Sequence, residues 1–296
     1  MLYESKIIKV QIKVSKIKTS FSGHDKFDCK IDWIVKGLKE FKNDSLLFSS
    51  SNIENSISKL GLGINMIKSL SHWFKVLGLV NEDKLSMLGE LILEKDPYLE
   101  NSDILWLFHW NLVKNKEKTT LYYLFFNYIY QYRFSKENIS IEVVNWLDKN
   151  EIKLSSNTIN SDIDVFLKMY SNSEGDEINF SLLSDLNILT KLKNSYNLNI
   201  NSTAPISDDV FLYVLNDYIN IFKLKENDSL SINDIQRGEL SIQKTFCMSE
   251  NKLFSKINQL HNLTNGKLSY SEAAGIRQIY ITEILDNYTL LKNILK

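Results

Sequence analysis

Several residue types that often organise a protein are scarce in this 296-residue sequence. Its two cysteines, Cys29 and Cys247, lie far apart and form no Cys-x-x-Cys pair, so neither a zinc site nor a disulfide framework is indicated. Two prolines and ten glycines are few for this length, and helix-compatible stretches dominate. We therefore expect a mainly α-helical chain.

Long apolar runs and a strong net charge are also missing. No apolar run approaches the roughly 20 residues needed to cross a bilayer, and the lysine-rich N-terminus lacks the apolar core of a signal peptide. We therefore expect a cytoplasmic protein without a membrane partner. The formal net charge is −1, so DNA binding would require a local basic patch. The sequence also contains no nucleotide-binding glycine loop, nucleophile elbow or HExxH motif.

Residues 60–80 carry the clearest structural signal. Gly61 and Gly63 predict a tight turn, and the apolar residues that follow recur at helical spacing up to Gly78. Residues 51–60 predict a shorter helix before this turn, and residues 79–86 predict strand, turn and strand. This order indicates a winged helix-turn-helix over about residues 49–95, whose second helix usually reads DNA.

A short polar segment, Gly23, His24 and Asp25, lies between Phe21 and Phe27. The pattern predicts a loop held at both ends by aromatic side chains. His24 could act as a general base, a metal ligand or a phosphate-binding group, with Asp25 orienting it or binding the metal. Alternatively, the ring caps the next helix or bonds a carbonyl.

Residues 6–18 alternate between β-branched and basic or polar side chains, which predicts a half-buried strand with a basic face. Two roles remain open for that face. The lysines could protect a sheet edge, or they could contact phosphates.

Residues 134–172 indicate a second winged-helix-like unit. Two helical patterns with serine-rich starts are joined by a short connection at residues 151–154. The second helix carries Asp162 and Asp164, which make a poor DNA-facing surface. We therefore expect a structural or protein-contacting role for this unit.

A change of composition at residues 171–176 predicts a domain boundary. The expected fold class is mainly α with small β-wings (α+β). Winged helix-turn-helix units form an N-terminal domain over residues 1–172, and a helical C-terminal domain follows over residues 173–296.

Two further clusters carry weaker signals. The residue types of a metal site occur between residues 96 and 109, but their spacing matches no specific metal motif: Asp96, Glu100, Asp103 and His109. His109 stands among tryptophans, which is more typical of a core histidine than of a ligand. The aromatic residues 119–132 favour a buried helix, with base stacking as a minor alternative.

A series of segments resembles, in order, the bacterial domain-of-unknown-function family 4007. The segments are FSGHDKF, GLGINMIKSLSHW, LGELIL, DPYLE and LWLFHW, within residues 21–110, and a weaker likeness extends to residue 170 and to AAGIRQIY at residues 273–280. Members of this family resemble the B component of the Ssp DNA phosphorothioation defence system. That resemblance implies a DNA-nicking partner of a sulfur-inserting enzyme and an ATPase.

The resemblance carries over residue by residue to Phe21, Gly23, His24 and Phe27 in the first segment. In the central helix it covers six positions: Gly61, Gly63, Asn65, Met66, Ser69 and Trp73. Three positions depart from the family pattern. Basic residues are usual where this chain has Ile64 and Ser71, and arginine is typical at Lys68. The two lost charges are expected to weaken phosphate binding and to flatten its salt dependence, by roughly 0.9 in slope for each phosphate contact.

The candidate DNA-contacting residues are Lys59, Asn65, Lys68, Ser69, His72 and Lys75. Asn65, Lys68, His72 and Lys75 are spaced by three, four and three, which puts them along one face of a helix.

Two functions from different classes follow. The first is a DNA-binding component of a bacterial phosphorothioation and antiphage defence system that nicks one DNA strand, with His24 and Asp25 as the catalytic pair and Mg²⁺ or Mn²⁺ as the cofactor. The second is a non-catalytic adaptor that binds DNA or bridges partners. Double-stranded DNA and the reductase-like sulfur-transfer and ATPase proteins of the same system are the expected partners. A transcription regulator is a third, weaker alternative, because the sequence offers no heptad dimerisation helix.

Overall fold

The computed structural model describes residues 17–171, 181–200 and 203–296. The strand predicted over residues 6–18 lies outside these ranges except for Ile17 and Lys18, which are not in a strand. The boundary predicted at residues 171–176 also lies outside them, apart from Ser171. Within the described ranges, no helix is long and apolar enough to cross a membrane.

The first part of the chain forms helices and one short hairpin. The elements are α1 (Ile31–Asn43), α2 (Ile53–Leu60), α3 (Ile64–Val76), β1 (Val80–Asn81), β2 (Lys84–Leu85) and α4 (Met87–Lys95). Gly61 ends α2 with a left-handed φ of 69° and donates its N–H to the Ile57 carbonyl. β1 and β2 pair antiparallel. Helix, turn, helix, strand and strand thus follow in the predicted order.

The middle part adds a second helix pair followed by two strands. Its elements are α5 (Ser102–Lys114), α6 (Thr120–Leu124), β3 (Arg133–Phe134), α7 (Lys136–Lys149), α8 (Ser156–Tyr170), β4 (Leu189–Lys191) and β5 (Tyr196–Leu198). A π-helical turn extends α6. Tyr122, Tyr123, Phe125 and Phe126 are buried, in agreement with the predicted core helix, whereas Tyr128 and Tyr132 are exposed. The side chains of Ser135 and Ser155 cap α7 and α8 by accepting backbone N–H groups.

The last part of the chain is a mixture of helices and strands. Its elements are α9 (Asp208–Ile221), β6 (Ser229–Ser231), α10 (Ile232–Arg237), α11 (Ile242–Thr245), α12 (Glu250–Ile257), α13 (Leu260–Leu263), β7 (Leu268–Ala273), β8 (Ile276–Ile281) and α14 (Asn287–Ile294). The C-terminal part contains helices as expected, but the expectation that it is helical throughout is wrong, because β6, β7 and β8 are strands. Ala274 and Gly275 have φ values of 51° and 79°, which suit the two-residue turn of a hairpin. Ile279 and Ile281 are buried and Tyr280 is exposed, the alternation of a strand.

One topology occurs twice after residue 133. In each case a strand is followed by helices and then by a two-stranded hairpin. The first strand pairs antiparallel with the last, so that the sheet orders are β3-β5-β4 and β6-β8-β7.

Helix α5 lies at the centre of the hydrophobic core. Trp106 Nε1 donates to the Pro205 carbonyl at 3.0 Å, and Trp110 Nε1 donates to Asp217 Oδ2 at 2.6 Å. The buried core therefore continues from the first half of the chain into the second. The division into domains at residues 172 and 173 stays a prediction.

Candidate functional site

The loop of residues 22–26 lies between α3 and α8. The backbone N–H of Ser22 donates to Asp162 Oδ1 at 2.7 Å, and His24 Nε2 lies 2.6 Å from the same oxygen. On the other side of the loop, Gly23 abuts His72 of α3. A Cβ at Gly23 would lie 2.5 Å from His72 Cε1, so this close approach requires glycine. The loop thus contacts both α3 and α8.

Both ring nitrogens of His24 are used within the fold. The backbone N–H of Lys26 donates to Nδ1 at 3.2 Å, which makes Nδ1 an acceptor. The proton then resides on Nε2, which donates it to the Asp162 carboxylate. The ring is 3% exposed and stacks on Trp73 with centroids 5.8 Å apart. With both nitrogens engaged, neither is open to a substrate or a metal, so the arrangement suits a residue that holds the loop in place.

Asp162, and not Asp25, is the hydrogen-bond partner of His24, which corrects the expected orienting role of Asp25. Asp25 is exposed and has a left-handed φ of 47°. Asp162 stands 138 positions after His24 and is buried. From the sequence we interpret Asp162 only as an acidic residue unsuited to a DNA-facing helix. No local pattern indicates that it pairs with a histidine so far away in the chain.

The outer face of α3 carries the predicted row of polar residues. Asn65, Lys68 and Lys75 are exposed, and His72 of the same row is partly buried. Burial lowers the pKa of His72 to about 4, and the proximity of His24 and of two lysines, Lys75 first, adds to this shift. His72 is therefore neutral at physiological pH, and the positive charge of this face comes from the lysines.

Two predicted DNA-contacting residues lie elsewhere. Ser69 is fully buried, and its hydroxyl donates to the Phe27 carbonyl at 3.4 Å. It faces inward because it stands one position away from the exposed row, next to buried Leu70. Lys59 forms an ion pair with Asp44, with Nζ and Oδ2 3.2 Å apart at the edge of α2. The structure therefore brings Asn65, Lys68, His72 and Lys75 together on α3 and leaves Ser69 and Lys59 out of that row.

The carboxylates near the loop do not fit the expected Mg²⁺ or Mn²⁺ site. These ions favour several oxygen ligands around one point. Asp162 Oδ1 is held by Ser22 and His24, while Asp164 Oδ1 lies 2.6 Å from Lys136 Nζ. In the part of the chain that the structure describes, no group of three or more histidine, cysteine, aspartate or glutamate side chains converges on one position.

The weaker metal pattern between residues 96 and 109 has a structural explanation. Asp96 accepts the backbone N–H groups of Glu100 and Asn101 at 2.9 and 2.8 Å. His109 is buried, with Nδ1 2.7 Å from the Tyr170 hydroxyl and Nε2 2.8 Å from the Thr245 carbonyl. These side chains serve the fold and do not form a ligand set.

The fold is shared with two solved structures. A crystal structure of SspB aligns with a TM-score of 0.80 at 19% sequence identity, over 93% of this chain and 86% of that one. A magnesium-ion-bound SspB structure aligns with a TM-score of 0.78, with the same identity and coverage. No curated protein sequence gives a significant match. A family model described as protein of unknown function (DUF4007) matches residues 21–296, and the chain therefore belongs to the DUF4007 family.

Proposed function

We propose that this protein is the DNA-binding component of a bacterial DNA phosphorothioation defence system. Its membership of the DUF4007 family and its fold likeness to SspB support this role. The α2–α3 pair, followed by the β1–β2 hairpin, has the element order of a winged helix-turn-helix. In such units the second helix enters the major groove of DNA.

The observation that carries the proposal is the exposed row on α3. Asn65 stands in the first turn of this helix, where recognition helices contact base edges, and an asparagine side chain can pair with adenine. Lys68 and Lys75 follow along the same face and suit phosphate contacts. Ile64 is 49% exposed at the helix start and contributes no charge, so we expect moderate DNA affinity.

The double variant Lys68→Ala/Lys75→Ala tests the DNA-binding role. Removing two phosphate contacts should reduce the slope of log K against log[salt] by roughly 1.8, and the affinity by about tenfold or more at low salt. Titration of a labelled 30-base-pair duplex by fluorescence anisotropy at several NaCl concentrations measures both quantities. Lys223→Ala/Lys225→Ala, which removes two exposed lysines after α9, is the matched control. A wild-type affinity without salt dependence would contradict the proposal.

Strand nicking is the second candidate function, because one SspB structure with this fold contains magnesium. His24 would have to release the Lys26 N–H before its Nδ1 could accept a proton, and the nearby carboxylates do not suit a metal. We therefore derive no catalytic step from this loop. The non-catalytic adaptor, which binds DNA and holds the sulfur-transfer and ATPase proteins of the system, suits this geometry better.

Relaxation of supercoiled plasmid with Mg²⁺ or Mn²⁺ separates the two candidates. If the protein is an adaptor, we expect no open-circle product above the background without metal. Asp25→Ala is the informative variant, since the side chain is exposed and its removal leaves the His24–Asp162 bond intact. Metal-dependent nicking that is lost in Asp25→Ala, with unchanged DNA affinity, would establish Asp25 as catalytic and overturn the adaptor.

A further inference from the structure

The exposed face of α8 forms one wall of a groove next to the loop of residues 22–26. The groove has a volume of about 410 Å³ and is lined by Lys26 from the loop and by six residues of α8: Asn157, Asn160, Ser161, Asp164, Val165 and Lys168. Five of these six side chains are polar, and they recur at helical spacing along one face.

The two acidic residues of α8 both have partners within the fold. Asp162 points inward to His24 and is buried, so it does not belong to the exposed face. Asp164 is exposed, but it pairs with Lys136 of α7, with Oδ1 and Nζ 2.6 Å apart. The groove presents the amide side chains of Asn157 and Asn160 and the ammonium groups of Lys26 and Lys168, next to the ion-paired Asp164. The sequence-based reason for excluding this helix from DNA contact therefore no longer applies.

The loop of residues 22–26 contacts both α3 and α8. Ser22 and His24 are bound to α8 through Asp162, and Gly23 touches His72 of α3. The loop of residues 22–26 therefore lies between His72 of α3 and this groove, to which it contributes Lys26. The order of elements also supports a DNA-contacting role for α8. The chain runs as a strand (β3), two helices (α7 and α8) and a hairpin (β4 and β5), and α8 has the position of a recognition helix in this order.

We infer that α8 is a second DNA-contacting helix, and that one duplex runs from α3 over the loop of residues 22–26 to the groove of α8. This inference rests on the proposed DNA-binding function. Lys26 contacts a phosphate midway between the two helices, and Asn157 and Asn160 donate hydrogen bonds to the backbone or to base edges. The lysine and asparagine side chains of this surface suit duplex DNA as its partner.

The double variant Asn157→Asp/Asn160→Asp tests the inference with little change in shape. It adds two negative charges at positions that face the phosphates, and we expect the DNA dissociation constant to increase by at least tenfold at low salt. Both positions lie in the first turns of α8, where carboxylates are favourable for the helix, so folding should be preserved. Melting temperature and circular dichroism measure that directly.

Asn233→Asp/Asn251→Asp is the matched control, with two exposed asparagines in the first turns of α10 and α12. It adds the same charge on other helices and should leave the dissociation constant within about twofold of wild type. Lys26→Ala should independently reduce the salt slope by roughly 0.9.

The outcomes distinguish the two proposals. Salt-dependent binding by the wild type, weakened by Lys68→Ala/Lys75→Ala but unchanged in Asn157→Asp/Asn160→Asp, would overturn the role of α8 and leave the DNA-binding function standing. Equal weakening by the control Asn233→Asp/Asn251→Asp would also overturn it, because the effect would then be one of net charge. The absence of salt-dependent binding by the wild type would contradict the DNA-binding function itself.

Discussion

Replacing Asp162 with alanine is expected to lower the free energy of unfolding by about 3–5 kcal/mol, since an unsatisfied buried donor costs roughly 1–3 kcal/mol and two donors are left. These donors are the Ser22 backbone N–H and His24 Nε2–H, which both bond to Asp162 Oδ1. Hydrogen bonds to a charged acceptor are among the stronger ones in proteins. Urea unfolding followed by tryptophan fluorescence measures the change.

The matched control for Asp162→Ala is Asp164→Ala, two positions further along the same helix. Asp164 is exposed and makes a surface ion pair with Lys136, so its loss should cost less than about 1 kcal/mol. Asp162→Asn should fall between the two, because the amide oxygen can still accept from Ser22 and His24. Equal stability of the two alanine variants would mean that the His24–Asp162 bond does not hold the loop.

The Asp162→Ala variant also affects DNA binding if the loop carries Lys26 to the duplex. Released from Asp162, the segment from Ser22 to Lys26 would lose its fixed position between α3 and α8. We expect weaker DNA affinity than for Asp164→Ala under conditions in which both variants remain folded. Affinity is therefore compared at low temperature, after each variant has been shown to be native.

Local signals were sufficient to predict the first helix-turn-helix and its hairpin. Gly61 has a left-handed φ and ends α2, as its place between two helical patterns indicated. Ser86 caps α4 by accepting the N–H of Gly89, a bond between residues three positions apart. Features of this kind depend on neighbours in sequence, so periodicity and capping residues reveal them.

Features that depend on distant residues were not predictable in the same way. His24 was recognised as important, but its partner Asp162 is brought to it only by the packing of α8. The hairpin of β7 and β8 was missed, although the left-handed φ values of Ala274 and Gly275 form its turn. Ser69, a DNA-contacting candidate, is buried because one position along a helix from Lys68 rotates its side chain by about 100° away from the exposed row.

Below pH 6.5 the protein is expected to lose stability, and the His109→Gln variant should reduce that loss. His109 is fully buried, and burial lowers its pKa to about 4. An unfolded histidine titrates near 6.5, so unfolding takes up a proton between these two values. The contribution of His109 to the free energy of unfolding is fully present above the unfolded pKa and decreases as the pH falls toward 4. At pH 5 about 2 kcal/mol of this contribution has been lost.

Unfolding free energies of the wild type and His109→Gln at pH 7.5, 6.0 and 5.0 measure this contribution. At pH 7.5 the variant should be about 1–3 kcal/mol less stable, because the Tyr170 hydroxyl or the Thr245 carbonyl loses its partner. Its loss between pH 7.5 and 5.0 should be about 2 kcal/mol smaller than that of the wild type. The pKa of His72 is lowered to about 4 as well, so part of the pH dependence of stability remains in the variant.

The same experiment tests how the two halves of the chain are joined. His109 links α5 to Tyr170 at the end of α8 and to Thr245 of α11, so the Gln variant changes contacts to both sides of residue 172. If the halves share one core, tryptophan fluorescence and far-ultraviolet circular dichroism should report the same single unfolding transition at each pH. If His109→Gln separates the transition into two, residues 1–172 and 173–296 unfold as independent domains. An unchanged pH profile in His109→Gln would instead show that the ring is not held neutral by the core.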